Sequence, residues 1–276
     1  MEVAARTTRR RTSSPSIASA AAATATVTAL GPDYAIVPSN AVGTGLGNYT
    51  ISYNNGTLHI NTASLTITAT DRTKLFGATY TPDTTPPSVD FNVSGLLNSD
   101  TVTSITLACV GYPAGALPTP AGYTITPSAA AGTGLANYTI GYMNGYLAIG
   151  YGTCTGSNPG GVILQPINTD GTSVFKRGST VPVKFTECDA NGNAISDQTA
   201  VFATGYGSIT LISAVRGQVN NVNETTYTDI PDVAFRWSNG IWIFNMATGN
   251  LDTNTRYTFR INLANGSYIS FTFSTK

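Results

Sequence analysis

The sequence predicts an all-β fold of tandem small β-domains, the first of them truncated, followed by an immunoglobulin-like β-sandwich. Three observations support this fold class: a repeat of domain length, short segments in which apolar and polar residues alternate, and frequent turn residues between those segments. Gly, Thr, Asn, Ser and Tyr are abundant, and long runs of the helix-favouring residues Leu, Glu and Lys are absent. The 276 residues are enough for about two domains of ordinary size.

The charge content argues against nucleic-acid binding, and the lengths of the apolar stretches argue against a membrane-spanning segment. Charged residues make up 10% of the chain and the formal net charge is zero, so the basic footprint of a nucleic-acid binder is missing. No stretch approaches the ~18 apolar residues that a membrane-spanning segment needs. The Arg-rich start and the Ala/Thr-rich stretch at 17–30 have the layout of a signal peptide, but Thr24, Thr26 and Thr28 interrupt the apolar part. We therefore predict no convincing signal peptide in this chain.

The strongest signal is an internal repeat. Tyr34–Ile60 aligns without a gap with Tyr123–Ile149 at an offset of 89 residues, and 18 of the 27 positions are identical. That offset is a domain length rather than the period of a solenoid. The predicted domains are a truncated first repeat at 1–61, a complete repeat at 62–150, a Gly-rich linker at 151–161 and a sandwich domain at 162–276.

The first copy differs from the second in what precedes it. The second copy opens with the alternating segment Leu65–Ala69, whereas residues 15–33 can supply only the middle of a first domain. We expect the first copy to have an unpaired strand edge and to be less well ordered than residues 65–149. We also expect the chain to be the C-terminal part of a longer repeat array.

Each copy carries the sequence pattern of a tight hairpin. Asn144-Gly145 follows the alternating segment Tyr138–Tyr142, and this dipeptide is favoured in two-residue type I′ turns. Such a turn would pair Tyr142 with Leu147, so that apolar residues meet on one face. Asn55-Gly56 predicts the same hairpin in the first copy.

Residues 65–149 resemble the MBG domain, which occurs as tandem copies in large bacterial surface and secreted proteins. The matching segments are LTITATDRTKLFGATY, VSGLLNSDTVTSITL and YTITPSAAAGTGLANYTIGYMNGYLAI. In the subtype that these segments are similar to, a Tyr-Gly pair follows the Lys, and here Phe76-Gly77 follows Lys74-Leu75. The resemblance implies a repeated structural module with no known chemistry and no catalytic residues.

The C-terminal part resembles a second family. Ser173–Ile195 is similar to the domain named for its Pro-x-Lys-Phe motif, which is Pro182–Phe185 here, and the upstream segment Val162–Asn168 fits the same family. The resemblance implies a domain found at the C-terminal end of bacterial proteins, with a poorly defined function. It supports architecture more than activity.

The C-terminal segment also carries hairpin patterns. A two-residue loop at Asn239-Gly240 would pair Trp237 with Trp242. A three-residue loop ending at Gly266, in the left-handed conformation of a bulge, would pair Ile261 with Ile269. Pro182 should lie on an edge strand or at a bulge, because it cannot donate a backbone hydrogen bond. Several short strands with turns between them are typical of an immunoglobulin-like sandwich.

The cysteines and the histidine suggest structural roles. Cys109, Cys154 and Cys188 have no metal-ligand spacing, and we predict a disulfide between Cys154 and Cys188 with Cys109 free. His59, the single histidine, aligns with Ala148 of the other copy and is predicted to be a solvent-facing strand residue. The sequence predicts no catalytic residue, no metal site and no cofactor.

Two kinds of site stay open from the sequence. Asp170, Glu187 and Asp189 lie in turns or beside Cys188, where extracellular β-proteins sometimes hold calcium, although no EF-hand loop pattern is present. Trp237 and Trp242, flanked by Phe235 and Phe244, either fill the sandwich core or form a ligand-facing aromatic surface.

The predicted function is a non-catalytic structural or spacer segment of a bacterial extracellular or cell-surface protein of the adhesin type. One alternative is a binding module whose C-terminal domain contacts a glycan or a surface protein. Another is the non-catalytic tail of a secreted enzyme. The sequence predicts no oligomeric state.

Overall fold

The structure, a computed structural model, describes residues 33–203, 207 and 209–276, together with the backbone of residues 19–20. Over these residues it is all-β, as predicted, apart from short 3-10 turns at Leu46–Asn48 and Leu135–Asn137 and a four-residue helix, α1, at Gln198–Val201. The predicted roles of the Arg-rich start and of most of residues 15–33 lie outside the described residues.

The described strands number eighteen. In chain order they are β1 Ser19–Ala20, β2 Tyr34–Val37, β3 Gly56–Leu58, β4 Ala63–Ala69, β5 Arg72–Leu75, β6 Phe91–Ser94, β7 Thr101–Ala108, β8 Tyr123–Thr133, β9 Tyr138–Met143, β10 Gly145–Gly150, β11 Ile163–Leu164, β12 Val174–Phe175, β13 Thr180–Phe185, β14 Ile209–Arg216, β15 Arg236–Ser238, β16 Ile241–Ala247, β17 Thr255–Asn262 and β18 Tyr268–Thr275. They form sheets of order β1-β2-β3, β6-β4-β9, β5-β10-β8-β7, β11-β13-β16-β15 and β12-β18-β17-β14.

The chain divides into two compact units. Unit one contains Met1–Ile67, Val93–Ser104 and Ala130–Gly141, and unit two contains Thr68–Asn92, Ile105–Ala129 and Tyr142–Lys276. This division follows contacts rather than the sequence repeat, and the boundaries at 61, 150 and 161 stay predictions.

Unit one contains the first copy of the repeat. Here β2 pairs antiparallel with β3, with Tyr34 opposite Leu58, and with β1, with Ile36 opposite Ala20. In the part of unit one that comes from the second copy, Tyr138 is 8% exposed. Its hydroxyl accepts a hydrogen bond from the Leu97 N–H (2.8 Å) and lies 2.9 Å from Oδ2 of Asp100. A buried Tyr thus fixes the loop that precedes β7.

The predicted hairpin of the repeat is wrong. β9 belongs to the sheet β6-β4-β9, whereas β10 belongs to β5-β10-β8-β7, so Asn144 connects two sheets rather than two neighbours in one sheet. In the first copy, β3 likewise pairs with β2 instead of with the residues before Asn55. The physical reason is that alternation shows only that one face of a segment is apolar. That face can be buried when the two segments lie in different sheets as well as when they pair in a hairpin.

The repeat strands of unit two are built around β10. It runs parallel to β5, with Leu147 opposite Arg72, and antiparallel to β8, with Gly145 opposite Ile125. Leu147 is fully buried. A side chain at Gly145 would place its Cβ 2.7 Å from the Ala69 carbonyl oxygen, so this close approach of backbones requires glycine.

The remainder of unit two is the predicted β-sandwich. The sheet β11-β13-β16-β15 and the sheet β12-β18-β17-β14 supply a common core. The largest fully buried side chains of this core are those of Phe175, Phe185, Phe273, Ile167, Ile261, Val181 and Val183. Burial of alternate residues along β17 and of nearly every residue along β13 is what two packed sheets of an immunoglobulin-like sandwich require.

The hairpins predicted for the sandwich are confirmed. Trp237 lies opposite Trp242 across β15 and β16, and Ile261 lies opposite Ile269 across β17 and β18. Gly266 has a φ of +85°, the left-handed conformation that the three-residue loop needs. Here the side-chain pattern and the turn residues together specify the register.

The prediction that Pro182 lies on an edge strand or at a bulge is wrong, because it lies in β13, which has β11 on one side and β16 on the other and pairs with β16 in a regular register. It pairs with Asn245 of β16, but the other neighbour, β11, is only two residues long and reaches no further than the pairing of Leu164 with Lys184. Pro182 therefore lies past the end of β11, where the position resembles an edge and the missing N–H costs no ladder hydrogen bond.

Candidate functional site

The aromatic residues singled out in the sequence lie at the core of the sandwich. Trp242 is 3% exposed and Phe235 is 4% exposed. The indole N–H of Trp242 donates to the Ile195 carbonyl oxygen at 3.0 Å. Trp237, which is half-buried, lies over Trp242 with ring centroids 5.2 Å apart. This burial favours the core role for Trp242 and leaves one side of Trp237 accessible.

The structure joins Cys154 and Cys188. Their Cα atoms lie 5.2 Å apart, within the range for a disulfide, and the bond closes a separation of 34 residues. Gly160 lies against this bond, because a Cβ there would be 2.8 Å from Sγ of Cys154. Cys109 is free and partly exposed. The bond attaches the start of the Gly-rich segment to the strand region that follows β13.

A buried acid, Glu187, lies next to the disulfide, and its burial was not predicted from the sequence. Glu187 is 3% exposed, and its Oε1 has no hydrogen-bond partner among the described residues. Burial raises the pKa of Glu187 to about 7. Burial, followed by the charge of Glu187, also raises the pKa of Tyr151. Glu187 is thus a buried acid beside the disulfide with one oxygen that lacks a hydrogen bond in the described part of the chain, whereas the Tyr151 hydroxyl donates to the Ala200 carbonyl oxygen.

The other two carboxylates proposed for calcium make turn hydrogen bonds. Oδ1 of Asp170 accepts from the N–H and the hydroxyl of Thr172, at 3.0 and 2.7 Å, and these bonds lower the pKa of Asp170. Oδ1 of Asp189 accepts from the N–H groups of Asn191 and Asn193, each at 2.9 Å. Over the described ranges, no group of three or more His, Cys, Asp or Glu side chains is arranged to hold a metal ion.

Lys74, from the repeat motif, holds a loop by its ammonium group. It is 7% exposed, and Nζ donates to the carbonyl oxygens of Ala78 (2.9 Å), Pro113 (2.5 Å) and Tyr112 (3.3 Å). Burial lowers the pKa of Lys74, and the nearby Cys109 opposes that change. Three carbonyl acceptors satisfy all three N–H groups of the ammonium.

Asp90 is a buried carboxylate that accepts hydrogen bonds, whereas Lys74 donates them. It accepts hydrogen bonds from Nε of Arg72 (2.6 Å), from the Asp83 N–H (2.7 Å) and from the Tyr80 hydroxyl. Burial alone would raise the pKa of Asp90, but these bonds outweigh it and hold the pKa below its usual value. Burial and Asp90 raise the pKa of Tyr80 to about 12. Arg72, Lys74 and Tyr80 thus act as structural residues of the repeat.

His59 is exposed, as predicted, but it follows the end of β3 at Leu58 and does not lie in a strand, so that part of the prediction is wrong. Its Nδ1 is 2.7 Å from Oδ1 of Asp33, and the two side chains are 65% and 52% exposed. An exposed pair of this kind contributes little to stability. None of the helices in the described part of the chain is long and apolar enough to cross a bilayer.

Comparison with solved structures finds multidomain β-proteins at low similarity. The I9–I11 tandem from titin is 12% identical with a TM-score of 0.25, over 81% of this chain and 70% of that chain. The I-band fragment I67–I69 from titin is 9% identical with a TM-score of 0.23, over 88% and 73%. Extracellular cadherin domains 3–6 of protocadherin gamma B2 are 12% identical with a TM-score of 0.22, over 82% and 55%. TM-scores this low carry no argument about fold or function.

Comparison with sequence families gives a specific result for the repeat. No curated protein matches the chain. The resemblance of residues 162–276 to the Pro-x-Lys-Phe domain stays a prediction. The family model of the MBG domain (YGX type) matches residues 65–148, so this part of the second copy is similar to that family.

Proposed function

We propose that this chain is a non-catalytic spacer segment of a bacterial extracellular or cell-surface protein of the adhesin type. The MBG match supports a structural repeat module. The observation that carries the proposal is the way in which the repeat strands of unit two join the sandwich. A spacer must hold its domains in a fixed relation, and the contacts at this joint between the repeat strands and the sandwich support the proposal.

The first part of the joint is Phe76, at the position where the motif departs from the usual Tyr. Its N–H donates to the Gly150 carbonyl oxygen at 2.8 Å, and its carbonyl oxygen accepts from the Ala190 N–H at 2.8 Å. The ring packs against the core of the sandwich. Phe76 therefore extends the sandwich core into the repeat, which agrees with an apolar ring in place of Tyr.

The second part is the segment that follows Gly150. The Tyr151 hydroxyl donates to the Ala200 carbonyl oxygen at 2.8 Å, and the Gly152 N–H donates to the Cys188 carbonyl oxygen at 2.7 Å. A Cβ at Gly152 would lie 2.0 Å from the Asp189 carbonyl oxygen, so only glycine fits. This segment is bound to the sandwich from its first residue and leaves no free hinge between Gly150 and Cys154.

The third part of the joint is a contact between the loop that joins β17 to β18 and the repeat. A Cβ on Gly266 would be 3.1 Å from Cβ of Pro120, which places the β17–β18 loop directly against the repeat. Hydrogen bonds, an apolar ring, a disulfide and this loop contact all oppose bending. Such a joint suits a load-bearing spacer better than a flexible tether.

The rigidity of the joint can be measured by distance distributions between two spin labels. In a Cys109→Ser background, labels at Val110→Cys and Val233→Cys use side chains that are 81% and 100% exposed. We expect one narrow distribution. Gly152→Ala should broaden it, whereas Gly156→Ala, where a Cβ meets nothing within 4 Å, should leave it narrow. A broad distribution in the parent chain would contradict the spacer proposal.

The location is tested separately on intact cells of the source bacterium. An antibody raised against the full chain should label cells without permeabilisation, or detect the protein in the medium. Labelling that appears only after permeabilisation would rule out the extracellular part of the proposal.

A further inference from the structure

The sheet β12-β18-β17-β14 has a basic outer face, turned away from the core of the sandwich. Tyr257, Phe259 and Ile261 of β17 are buried in that core. Because successive residues of a strand face opposite sides, Arg256 and Arg260 lie on the outer face. They are four residues apart, so their Cα atoms are about 13 Å apart along the strand. The four strands of the sheet contain no Asp, Glu or Lys, so no side chain of these strands offsets the two charges.

Neither of these guanidinium groups has a counter-ion among the described residues. The ion pairs there are those of His59, Arg72, Arg216 and Arg236. Neither side chain makes a hydrogen bond to a described residue, and Nε of Arg260 is buried without a partner. A planar guanidinium group binds carboxylates and similar oxyanions through paired hydrogen bonds. The two positive charges therefore favour an anionic ligand.

An exposed tyrosine lies beside Arg260. Cζ of Arg260 is 3.8 Å from the centroid of the Tyr268 ring, and this cation–π contact holds the guanidinium group in place. Tyr268 is nevertheless 53% exposed. The ring therefore presents an apolar surface next to a fixed positive charge.

Hydroxyl groups lie between and beside the two arginines. Residues directly opposite each other in paired strands share a face, and Arg260 lies opposite Ser270 of β18 and Thr210 of β14. The hydroxyl-bearing residues of this face are Thr210, Ser213, Thr258, Ser270 and Thr272. Each hydroxyl group can donate and accept a hydrogen bond, so together they suit a ligand that is itself rich in hydroxyl groups.

A cavity of about 360 Å³ adjoins Arg256 at one end of the face. Asp170 and Gln218 also line this cavity. Asp170 and Arg256 are both among the described residues and form no ion pair with each other, and Oδ1 of Asp170 accepts from Thr172 instead. The cavity thus offers hydrogen-bond donors and acceptors together, as a sugar unit with hydroxyl and acidic groups requires.

We propose that the outer face of the sheet β12-β18-β17-β14 binds an anionic polysaccharide. Arg256 and Arg260 contact two acidic groups of the polymer, and the hydroxyl-bearing side chains contact its sugar hydroxyls. One sugar unit lies against the ring of Tyr268. The inference goes beyond the spacer proposal and does not depend on it, because the joint contributes no residue to this face.

The spacing of the charges distinguishes this ligand from a nucleic acid. Duplex DNA carries one charge for about every 1.7 Å of its axis, and its binding proteins neutralise many phosphates. Two guanidinium groups about 13 Å apart, on a chain whose formal net charge is zero, match a polymer that carries few charges and many hydroxyl groups.

The test measures binding of the full chain to three anionic polysaccharides: hyaluronate, alginate and chondroitin sulfate. Neutral dextran and a random-sequence DNA duplex are the reference polymers. Isothermal titration at low and at high salt concentration gives the affinity for each polymer. We expect saturable binding of at least one anionic polysaccharide, weaker binding of it at high salt, and no binding of dextran.

Chain variants locate the site. Arg256→Gln and Arg260→Gln should each weaken polysaccharide binding by about tenfold, since each removes one charge-assisted contact. Arg236→Gln removes the same charge from β15 of the other sheet and should leave the affinity unchanged. Tyr268→Phe keeps the ring and should bind like the parent, whereas Tyr268→Ala should bind more weakly. Melting temperatures show whether each variant keeps its fold.

Three results would overturn the proposal. The first is no binding of any of the three anionic polysaccharides. The second is an equal loss of affinity in Arg236→Gln and Arg260→Gln, because the charge of the whole chain would then matter and not this face. The third is tighter binding of the DNA duplex than of every polysaccharide. None of these results affects the spin-label distances, so a failure here is distinguishable from a failure of the spacer proposal.

Discussion

Replacing Glu187 by Gln should change how the stability of the sandwich depends on pH. The carboxyl group has a pKa of about 7 in the folded chain, against 4.5 for the unperturbed group. Because the folded pKa is raised, the neutral acid stabilises the fold below about pH 4.5. That contribution is lost as the pH rises through about 7. The loss amounts to about 3 kcal/mol, since one pKa unit corresponds to about 1.4 kcal/mol.

The variant removes this titration but keeps the shape of the side chain. A buried Gln leaves its own N–H groups short of acceptors, at a cost of about 1–3 kcal/mol at every pH. The informative quantity is therefore the pH dependence of the free energy of unfolding, not its value at one pH. Between pH 5 and 8 the parent chain should lose stability relative to Glu187→Gln.

The assay is denaturant unfolding followed by tryptophan fluorescence at several pH values. Trp237 and Trp242 are the two tryptophans of the chain, so the signal reports the sandwich alone. Glu224→Gln, the same substitution at another glutamate of residues 162–276, is the matched control. Parallel curves for the parent and Glu187→Gln between pH 5 and 8 would refute the assignment of a buried, neutral acid.

Three further predictions concern other parts of the chain. A non-reducing peptide map should show Cys154 bonded to Cys188, and reduction should destabilise the sandwich by about 3–4 kcal/mol; a bonded Cys109 would contradict the pairing. Trp242→Ala should cost about 3–5 kcal/mol. Trp237→Ala should also damage folding, and a variant that keeps its melting temperature but loses binding on a glycan array would instead favour the binding-module alternative. Amides of residues 34–60 should exchange faster than those of residues 123–149, and equal rates would contradict the predicted weakness of the first copy.

The sequence predicted register where side-chain pattern and turn chemistry were both specific. In the sandwich, the turn at Asn239-Gly240 and the loop ending at Gly266 left one pairing that brought apolar residues together. In the repeat, Asn144-Gly145 was equally suited to a turn, yet β9 and β10 lie in different sheets. Neither residue has a positive φ, the conformation that a type I′ turn requires. The deciding contact is the approach of Gly145 to Ala69, which is distant in sequence.

The buried polar groups could not be predicted in the same way. Charged residues are seldom buried, but Lys74 and Asp90 are buried and each makes three hydrogen bonds: Lys74 donates to three carbonyl oxygens, and Asp90 accepts from Arg72, Tyr80 and Asp83. Glu187 follows β13, and every residue from 180 to 188 except Lys184 is buried. Because burial does not alternate here, the sequence pattern could not indicate whether the Glu187 side chain faces the core or the solvent. Burial on both faces removes the period that sequence analysis depends on.

The bond between Cys154 and Cys188 has a mechanical consequence for a chain under tension. Force that enters the sandwich along the chain from Tyr151 passes across the bond at Cys154 and continues from Cys188. The residues between the two cysteines, a sequence separation of 34, are then shielded from stretching. Fully extended, they would add about 115 Å. While the bond is intact, this length cannot be released even if the sandwich unfolds under load. In a reducing environment, unfolding of the sandwich would release it.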